Sequence, residues 1–251
     1  MQRILAIVLL LALSSLALAH NHLTVDTLSG QPGDPIIIKA GYLSGENVYT
    51  ISNNRLFYNG HIAVYDLPFQ LTQTGDLHNW FGNSALVLTS DFFFATGRLT
   101  GGDFMWELAS VTPIAGSACI ASWGDFNTSG ILIPSALSNA AARIDRSFDT
   151  GIAGHDHNQA CAFSTPGLYD LTFIAWDRNN RYADSAPVKV RFRVGPASIP
   201  GDTNFDSHVN IDDLTNVILE WGPCDACPAD LNADGVVNID DLTTVILNWN
   251  S

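Results

Sequence analysis

The order of apolar and polar residues changes its rhythm along this chain. Ile4 to Leu13 is an unbroken apolar run, preceded by Arg3 and followed by Ala17-Leu18-Ala19. A basic start, a short apolar run and a small-x-small site mark a signal peptide over residues 1–19, and the run is too short to span a membrane comfortably. Cleavage after Ala19 makes His20 the first mature residue. Val188 to Val194 then alternates apolar and polar with period two, which predicts a strand with one wet face. Leu168 to Trp176 predicts another, opened by the turn pair Pro166-Gly167. Pro35 to Ala40, His61 to Tyr65, Ala85 to Thr89, Phe92 to Ala95 and Phe104 to Val111 are further short runs, separated by Gly, Asn, Asp and Ser. Only Ser135 to Ile144 hints at a helix. This pattern predicts a mainly β, antiparallel sandwich over residues 20–194.

Gly195 to Gly201 reads as a linker, and beyond it the period becomes helical. Residues 202–251 contain a repeat of period 28. Asp202–Trp221 overlays Asp230–Trp249 with 14 of 20 positions identical, including Asn210 to Thr215 against Asn238 to Thr243. Such a tandem unit is expected to bury the apolar face of each half, Val217, Ile218, Leu219 and Trp221 in the first, against the other.

Composition sharpens this division. Of 251 residues, 47% are hydrophobic, enough for a sizeable core. The net charge of −14 argues against nucleic acid or an anionic membrane as partner. Residues 201–251 hold ten acids and no Lys or Arg, while the preceding residues hold fifteen acids and eleven bases. No later stretch reaches eighteen apolar residues, so no membrane span is expected after signal cleavage, and the protein is expected to be secreted or at the cell surface.

The acids have a spacing. Asp202, Asn204, Asp206, Asn210 and Asp213 take positions 1, 3, 5, 9 and 12 of a twelve-residue loop, and Asp230, Asn232, Asp234, Asn238 and Asp241 repeat them. Alternating hard oxygens wrap the chain around a calcium ion, with position 7, His208 or Val236, giving its backbone carbonyl. Two calcium ions are therefore expected, with folding of this part coupled to them. Gly235 at position 6 permits a sharp turn, whereas the first loop has Ser207 there. Position 12 is Asp, a shorter arm than the Glu of an EF-hand.

These two loop–helix units, spanning residues 202–249 without the entering helix of an EF-hand, resemble a type I dockerin. The resemblance implies binding to a cohesin module of a scaffold protein, often in polysaccharide-degrading assemblies. The tenth and eleventh loop positions, which carry recognition in that family, are Ile211-Asp212 and Ile239-Asp240 rather than a Ser-Thr type pair.

Four cysteines in an exported chain suggest two disulfides, Cys224 with Cys227 and Cys119 with Cys161. A redox Cys-x-x-Cys or half a zinc site are the alternatives for Cys224 and Cys227. No βαβ pattern surrounds that pair, and no second cysteine pair completes four ligands.

The sandwich segment carries two His-x-His pairs, His20 with His22 and His155 with His157. On a strand each pair points to one face, and two pairs offer four imidazoles to a tetrahedral zinc. A copper or nickel chelate at the free N-terminus, through His22 as third residue, is the competing arrangement. His61 and His78 are read as structural; Asp156 and Asp170 are candidate second-layer acceptors. His155-Asp156-His157-Asn158 followed by Phe163, Pro166-Gly167, Tyr169, Leu171 and Phe173 resembles bacterial surface-anchored His-x-His repeat proteins linked to metal uptake. The wider segment is similar to an exported family under the zinc-uptake repressor that usually ends in a PEP-CTERM sorting tail. Its carriers are His20-Asn21-His22, Ser29 to Asp34, Thr89 to Phe92, Ala95 to Leu99 and Ala175-Trp176-Asp177. The resemblance implies zinc handling at the cell surface; this chain has the dockerin-like unit in place of the sorting tail.

No Gly-x-Ser-x-Gly elbow, His-Glu-x-x-His helix or phosphate loop occurs, so an enzyme is not the expected reading; a glycoside hydrolase-type activity is the form it would take. The expected function is an exported, calcium-binding carrier whose sandwich binds a transition metal. The alternative is a carbohydrate-binding or polysaccharide-degrading component delivered by its dockerin. Trp80, Phe81, Trp106 and Trp123 are then the candidate stacking platform, against the reading that they fill the core.

Overall fold

The computed structural model describes residues 21–41, 49–58, 61–71, 77–78, 86–90, 99–126, 132–152, 159–196, 199–206, 208–224, 227–232 and 234–250. The body strands are β1 (Asn21–Asp26), β2 (Ile37–Gly41), β3 (Tyr49–Ser52), β4 (Arg55–Tyr58), β5 (His61–Ile62), β6 (Val64–Leu71), β7 (Leu77–His78), β8 (Leu86–Thr89), β9 (Phe104–Gly116), β10 (Ala121–Phe126), β11 (Leu132–Leu137), β12 (Ser147–Gly151), β13 (Gln159–Phe163), β14 (Gly167–Asp177) and β15 (Val188–Pro196). They make a mainly β body. Its large sheet runs β12-β9-β14-β15-β4-β3, with β5, β6 and β7 attached, and two smaller sheets run β2-β1-β8 and β11-β10-β13. The Phe92 to Ala95 run lies outside the described residues.

The alternating segment is β15. It pairs antiparallel with β14 from Phe173↔Val188 to Gly167↔Val194. Val188, Val190, Phe192 and Val194 all enter the core, as period two requires. Its other face is not wholly wet. Arg191 is buried there, because Asp170 on β14 accepts from its Nε at 2.8 Å and its Nη2 at 3.1 Å. Arg55 on β4 adds a second fork, at 3.0 and 2.6 Å. The sheets are also not purely antiparallel. Residues 191–196 of β15 take β6 in parallel along the edge opposite β14, and β1 takes β8 in parallel.

Aromatic residues join the layers. Trp123 on β10 meets Phe173 edge-on at 5.4 Å, and Phe163 on β13 lies 5.5 Å from Phe192. Beside them, Tyr169 donates to the Pro166 carbonyl at 2.8 Å, closing a corner where β14 begins. A Cβ at Gly167 would sit 2.6 Å from that hydroxyl and 2.7 Å from the Ala115 carbonyl oxygen, so only glycine fits. The tyrosine-corner arrangement is a hallmark of two-sheet sandwiches.

Two expectations are corrected here. Ser135 to Ile144 is not a helix: Ser135 to Leu137 complete β11, and one 3-10 turn follows at Ile144–Arg146. Pairing of Trp123 with Ala136 draws that segment into a sheet, which outweighs a weak helical pattern. Cys119 and Cys161 are free thiols. Cys161 faces the core opposite Trp123, and burial, with Cys119 adding to it, pushes its thiol well up from the usual value. Cys119 sits in the β9–β10 turn, where Ser164 Oγ donates to its Sγ at 3.7 Å. The expected local pair is present: Cys224 and Cys227 are joined, Cα to Cα 5.9 Å.

The tail holds α1 (Ile211–Leu219), β16 (Gly222–Pro223), β17 (Val236–Val237) and α2 (Ile239–Leu247) around its own core of Val209, Val217, Ala229, Val237 and Val245. The chain after each helix reaches across to the other half. Gly222 pairs with Val237, and Asn250, 28 positions later, donates to the Val209 carbonyl at 2.9 Å.

Candidate metal centres

Each acidic loop is built from turns in which a side-chain oxygen takes a backbone N–H two residues on, a habit of Asp and Asn. In the first, Asp206 N–H lies 3.1 Å from Asp202 Oδ1 and 2.9 Å from Asn204 Oδ1, so positions 1, 3 and 5 form one coil. His208 N–H donates to Asp206 Oδ1 at 2.9 Å. The second loop repeats this: Asp234 N–H meets Asp230 Oδ1 at 3.1 Å and Asn232 Oδ1 at 3.0 Å, and Val236 N–H meets Asp234 Oδ1 at 2.9 Å. Gly235 adopts φ +85°, which supports the reading of its place in the turn.

Position 12 closes each loop onto its helix. Asp213 Oδ2 accepts from Asn210 N–H at 2.9 Å, while Asn210 Oδ1 accepts from Asp212 N–H at 2.8 Å, a reciprocal cap. Asp213 Oδ1 reaches back to Thr203 N–H at 2.7 Å. Asp241 does the same with Asn238 and Leu231, each at 2.8 Å. Asn210 and Asn238 therefore serve as helix caps, and the spacing alone did not reveal the link from position 12 to position 2.

Asp213 and Asp241 are wholly buried, and Asp202 and Asp230 nearly so. Burial pushes the Asp230 carboxyl up; the Gly235 and Asp234 N–H groups oppose this, and the Asp241 and Asp234 charges add to it. No Lys or Arg lies in residues 201–251 to balance these acids. Among the described residues, no group of three or more His, Cys, Asp or Glu is arranged to hold a metal ion. The loops offer a mixed set of Asp, Asn and backbone carbonyl oxygens, all hard donors and so of the kind calcium takes.

The helices correct the expected burial. Val217 and Val245 point inward, with Leu214 and Leu242 packed beside them. Ile218, Leu219 and Trp221 turn outward, as do Ile246, Leu247 and Trp249. The exposures match between halves: Leu219 77% and Leu247 78%, Ile218 58% and Ile246 55%. Ile211 and Ile239 extend each stripe by two turns.

Of the histidine candidates, His20, His155 and His157 lie outside the described residues. His22 is fully buried on β1, between Gly41 of β2 and Val87 of β8. The backbone of Asn21 and His22 is thus committed to a ladder. A terminal copper or nickel chelate through those amide nitrogens would require β1 to open at its first residues. On either side of residues 153–158 the chain is anchored to β8 or to Ser90, the residue that follows it. Ser90 Oγ donates to the Thr150 carbonyl at 3.0 Å. Gln159 takes both backbone groups of Leu88, at 3.0 and 2.6 Å, and Leu88 lies opposite Leu23, the neighbour of His22. Sequence reasoning passed over Gln159 and Ser90, whose partners are distant in the chain.

Asp170, read as a candidate acceptor for a histidine, is held among the described residues by Arg55 and Arg191. Asp156 lies outside the described residues, as do Trp80 and Phe81. Trp106 and Trp123 are fully buried and belong to the core, not to a stacking surface. No helix among the described residues is long and apolar enough to cross a membrane. No protein-family model, curated protein or solved structure matches the chain.

Proposed function

We propose that this chain is an exported carrier whose acidic tail is a calcium-dependent docking module for a cohesin-like scaffold protein. The observation that carries the reading is the outward apolar stripe of α1, repeated on α2 with matched exposure. Soluble proteins seldom leave contiguous apolar surface uncovered without a use. Here the same residues are spent outward twice. Asp202, Asn204, Asp206, the His208 carbonyl and Asp213 would hold one calcium. Asp230, Asn232, Asp234, the Val236 carbonyl and Asp241 would hold the other. Calcium would supply the counter-charge that the tail's own sequence lacks. The chain's part is to fix the two helices, through the caps at Asn210 and Asn238, so that the stripes face outward. The test is binding of the full mature chain to a panel of immobilised cohesin modules, with calcium and with chelator. Calcium-dependent binding that disappears in Leu219→Asp/Leu247→Asp is expected. Binding indifferent to both chelator and substitution would remove the reading, as would no binding to any cohesin.

A second reading concerns the body, as a zinc-binding domain using His22 with His155 and His157, and His20 where the N-terminus allows. It is favoured by the anchoring of Gln159 to β8, the strand beside β1, and of Thr150 to Ser90 just after it. Elemental analysis of the processed protein should give zinc, lost in His155→Ala/His157→Ala. Zinc retained in that variant, or a zinc-free body that captures polysaccharide, would favour the carbohydrate alternative.

A further inference from the structure

We infer that the Cys224–Cys227 disulfide is a positioning element for the second acidic loop, and that the two loops, alike in ligand sequence, therefore differ in cation affinity. This rests on the calcium reading above and goes beyond it.

Three backbone contacts tie the disulfide segment to that loop. The Cys227 carbonyl accepts from Asp230 N–H, at position 1, at 3.2 Å. Cys224 N–H donates to the Gly235 carbonyl, at position 6, at 2.9 Å. Pro223, just before Cys224, pairs with Val236, at position 7. The start of the loop and its sharp turn are thus held by two residues that are covalently joined. Gly235 N–H in turn donates to Asp230 Oδ2 at 3.0 Å, so fixing Gly235 also fixes the position-1 carboxylate. Cys224 and Cys227 both pack against the tail core, which keeps the brace in place.

The first loop has half of this. Moving back 28 residues places Ile199 at the position of Cys227 and Pro196 at that of Cys224. The Ile199 carbonyl accepts from Asp202 N–H at 3.3 Å, so the contact at position 1 is repeated. Proline has no N–H, so the contact at position 6 has no counterpart. Pro196 is also the last residue of β15, opposite Phe69, and belongs to the body sheet. Ile199 and Pro196 cannot be cross-linked. A loop whose flanking chain is already cross-linked has less freedom to lose on binding, and outer contacts of this kind change metal affinity by about 10–100-fold.

The test uses the full mature chain with one loop disabled at a time. Asp206→Ala leaves the second loop and Asp234→Ala leaves the first; each is made with and without Cys224→Ser/Cys227→Ser and titrated calorimetrically with calcium. The expected result is a drop of about tenfold in the Asp206→Ala background and no change in the Asp234→Ala background. Equal drops in both, or none in the first, would overturn the inference while leaving the calcium reading intact. Absence of calcium binding in every form would overturn the calcium reading, and the affinity difference with it. A hydrogen-exchange measurement on the unmodified chain needs no variant to fold. With calcium bound, the Cys224 and Asp230 amides should be protected, and exchange at Cys224 as fast as in an open chain would refute the brace.

Discussion

The body and the tail both bury carboxylates, and most of the body's find basic side chains where the tail's do not. In the body, Asp170 sits between β14 and β15 with two arginine forks on it, from Arg55 and Arg191. Glu107 on β9 likewise takes Arg143 at 2.8 Å and Arg146 at 2.7 Å. Asp170 and Glu107 thus have guanidinium partners from distant parts of the same chain, which offsets the cost of desolvation, and Asp26 pairs with Lys39. Asp177 is the exception, held by the backbone N–H groups of Asp103, Asn179, Arg181 and Tyr182. In the tail, Asp213 and Asp241 are buried more deeply than Asp170 or Glu107, and their partners are backbone N–H groups. The body thus supplies basic side chains to three of its buried acids, Asp26, Glu107 and Asp170. The tail has no Lys or Arg in residues 201–251 to pair with its acids, and its apolar core of five small buried residues is slight beside that of the body.

The largest expected effect separates the two regions outright. Chelation of calcium should abolish most of the helical circular dichroism of α1 and α2 while the body's β signal persists. Full helicity in excess chelator would mean that the tail folds without an ion. Next in size, Asp170→Ala should destabilise the body by about 3–5 kcal/mol, because it leaves the buried Arg191 and the half-buried Arg55 without their acid. Urea unfolding followed by the buried tryptophans would measure this, and the tail's calcium titration should not move.

Acid gives a milder version of the same break. Burial works to raise the Asp170 carboxyl, but the hydrogen bonds and charges of Arg191 and Arg55 outweigh it and hold the group below its ordinary value. A carboxyl lowered on folding stabilises the fold above its unfolded pKa, about 3.9, and that share is lost as pH falls through the lower folded value. Body stability should therefore lose the Asp170 share only below about pH 4, and Asp170→Asn should flatten that part of the profile. A profile of unchanged slope in Asp170→Asn would show that other acids carry it. Smaller again, Tyr169→Phe should cost about 1 kcal/mol, the bond to the Pro166 carbonyl, read as a lower urea midpoint at constant slope. Smallest of all on stability, Leu219→Asp/Leu247→Asp should change unfolding by no more than about 0.5 kcal/mol, since both side chains are exposed. A large loss there would place the stripes in the tail's core and leave no docking face.

Much of this was legible in the chain. The alternation of Val188 to Val194, the turn at Pro166-Gly167 and the helical period within each tail repeat are local patterns, and the structure has β15, the start of β14, α1 and α2 there. The free state of Cys119 and Cys161 was not legible, because cysteine count and compartment do not say which way a thiol faces. Nor was the outward turn of Leu219 and Leu247. An apolar residue next to a buried valine on a short helix reads as core until the neighbouring helix is in place.

The sequence by itself determined the β-rich character of the body and the duplicated acidic tail with its alternating Asp and Asn residues and its two short helices. These are set by interactions over a few residues, where side-chain period, capping oxygens and turn residues act with little help from elsewhere. Only the tertiary structure decided which partners distant residues find. It brought Arg55 to Asp170, Gln159 to Leu88, and Cys224 to Gly235. Such pairings depend on strand order and on which faces two sheets present to each other, and these follow from packing the whole core rather than from any single segment.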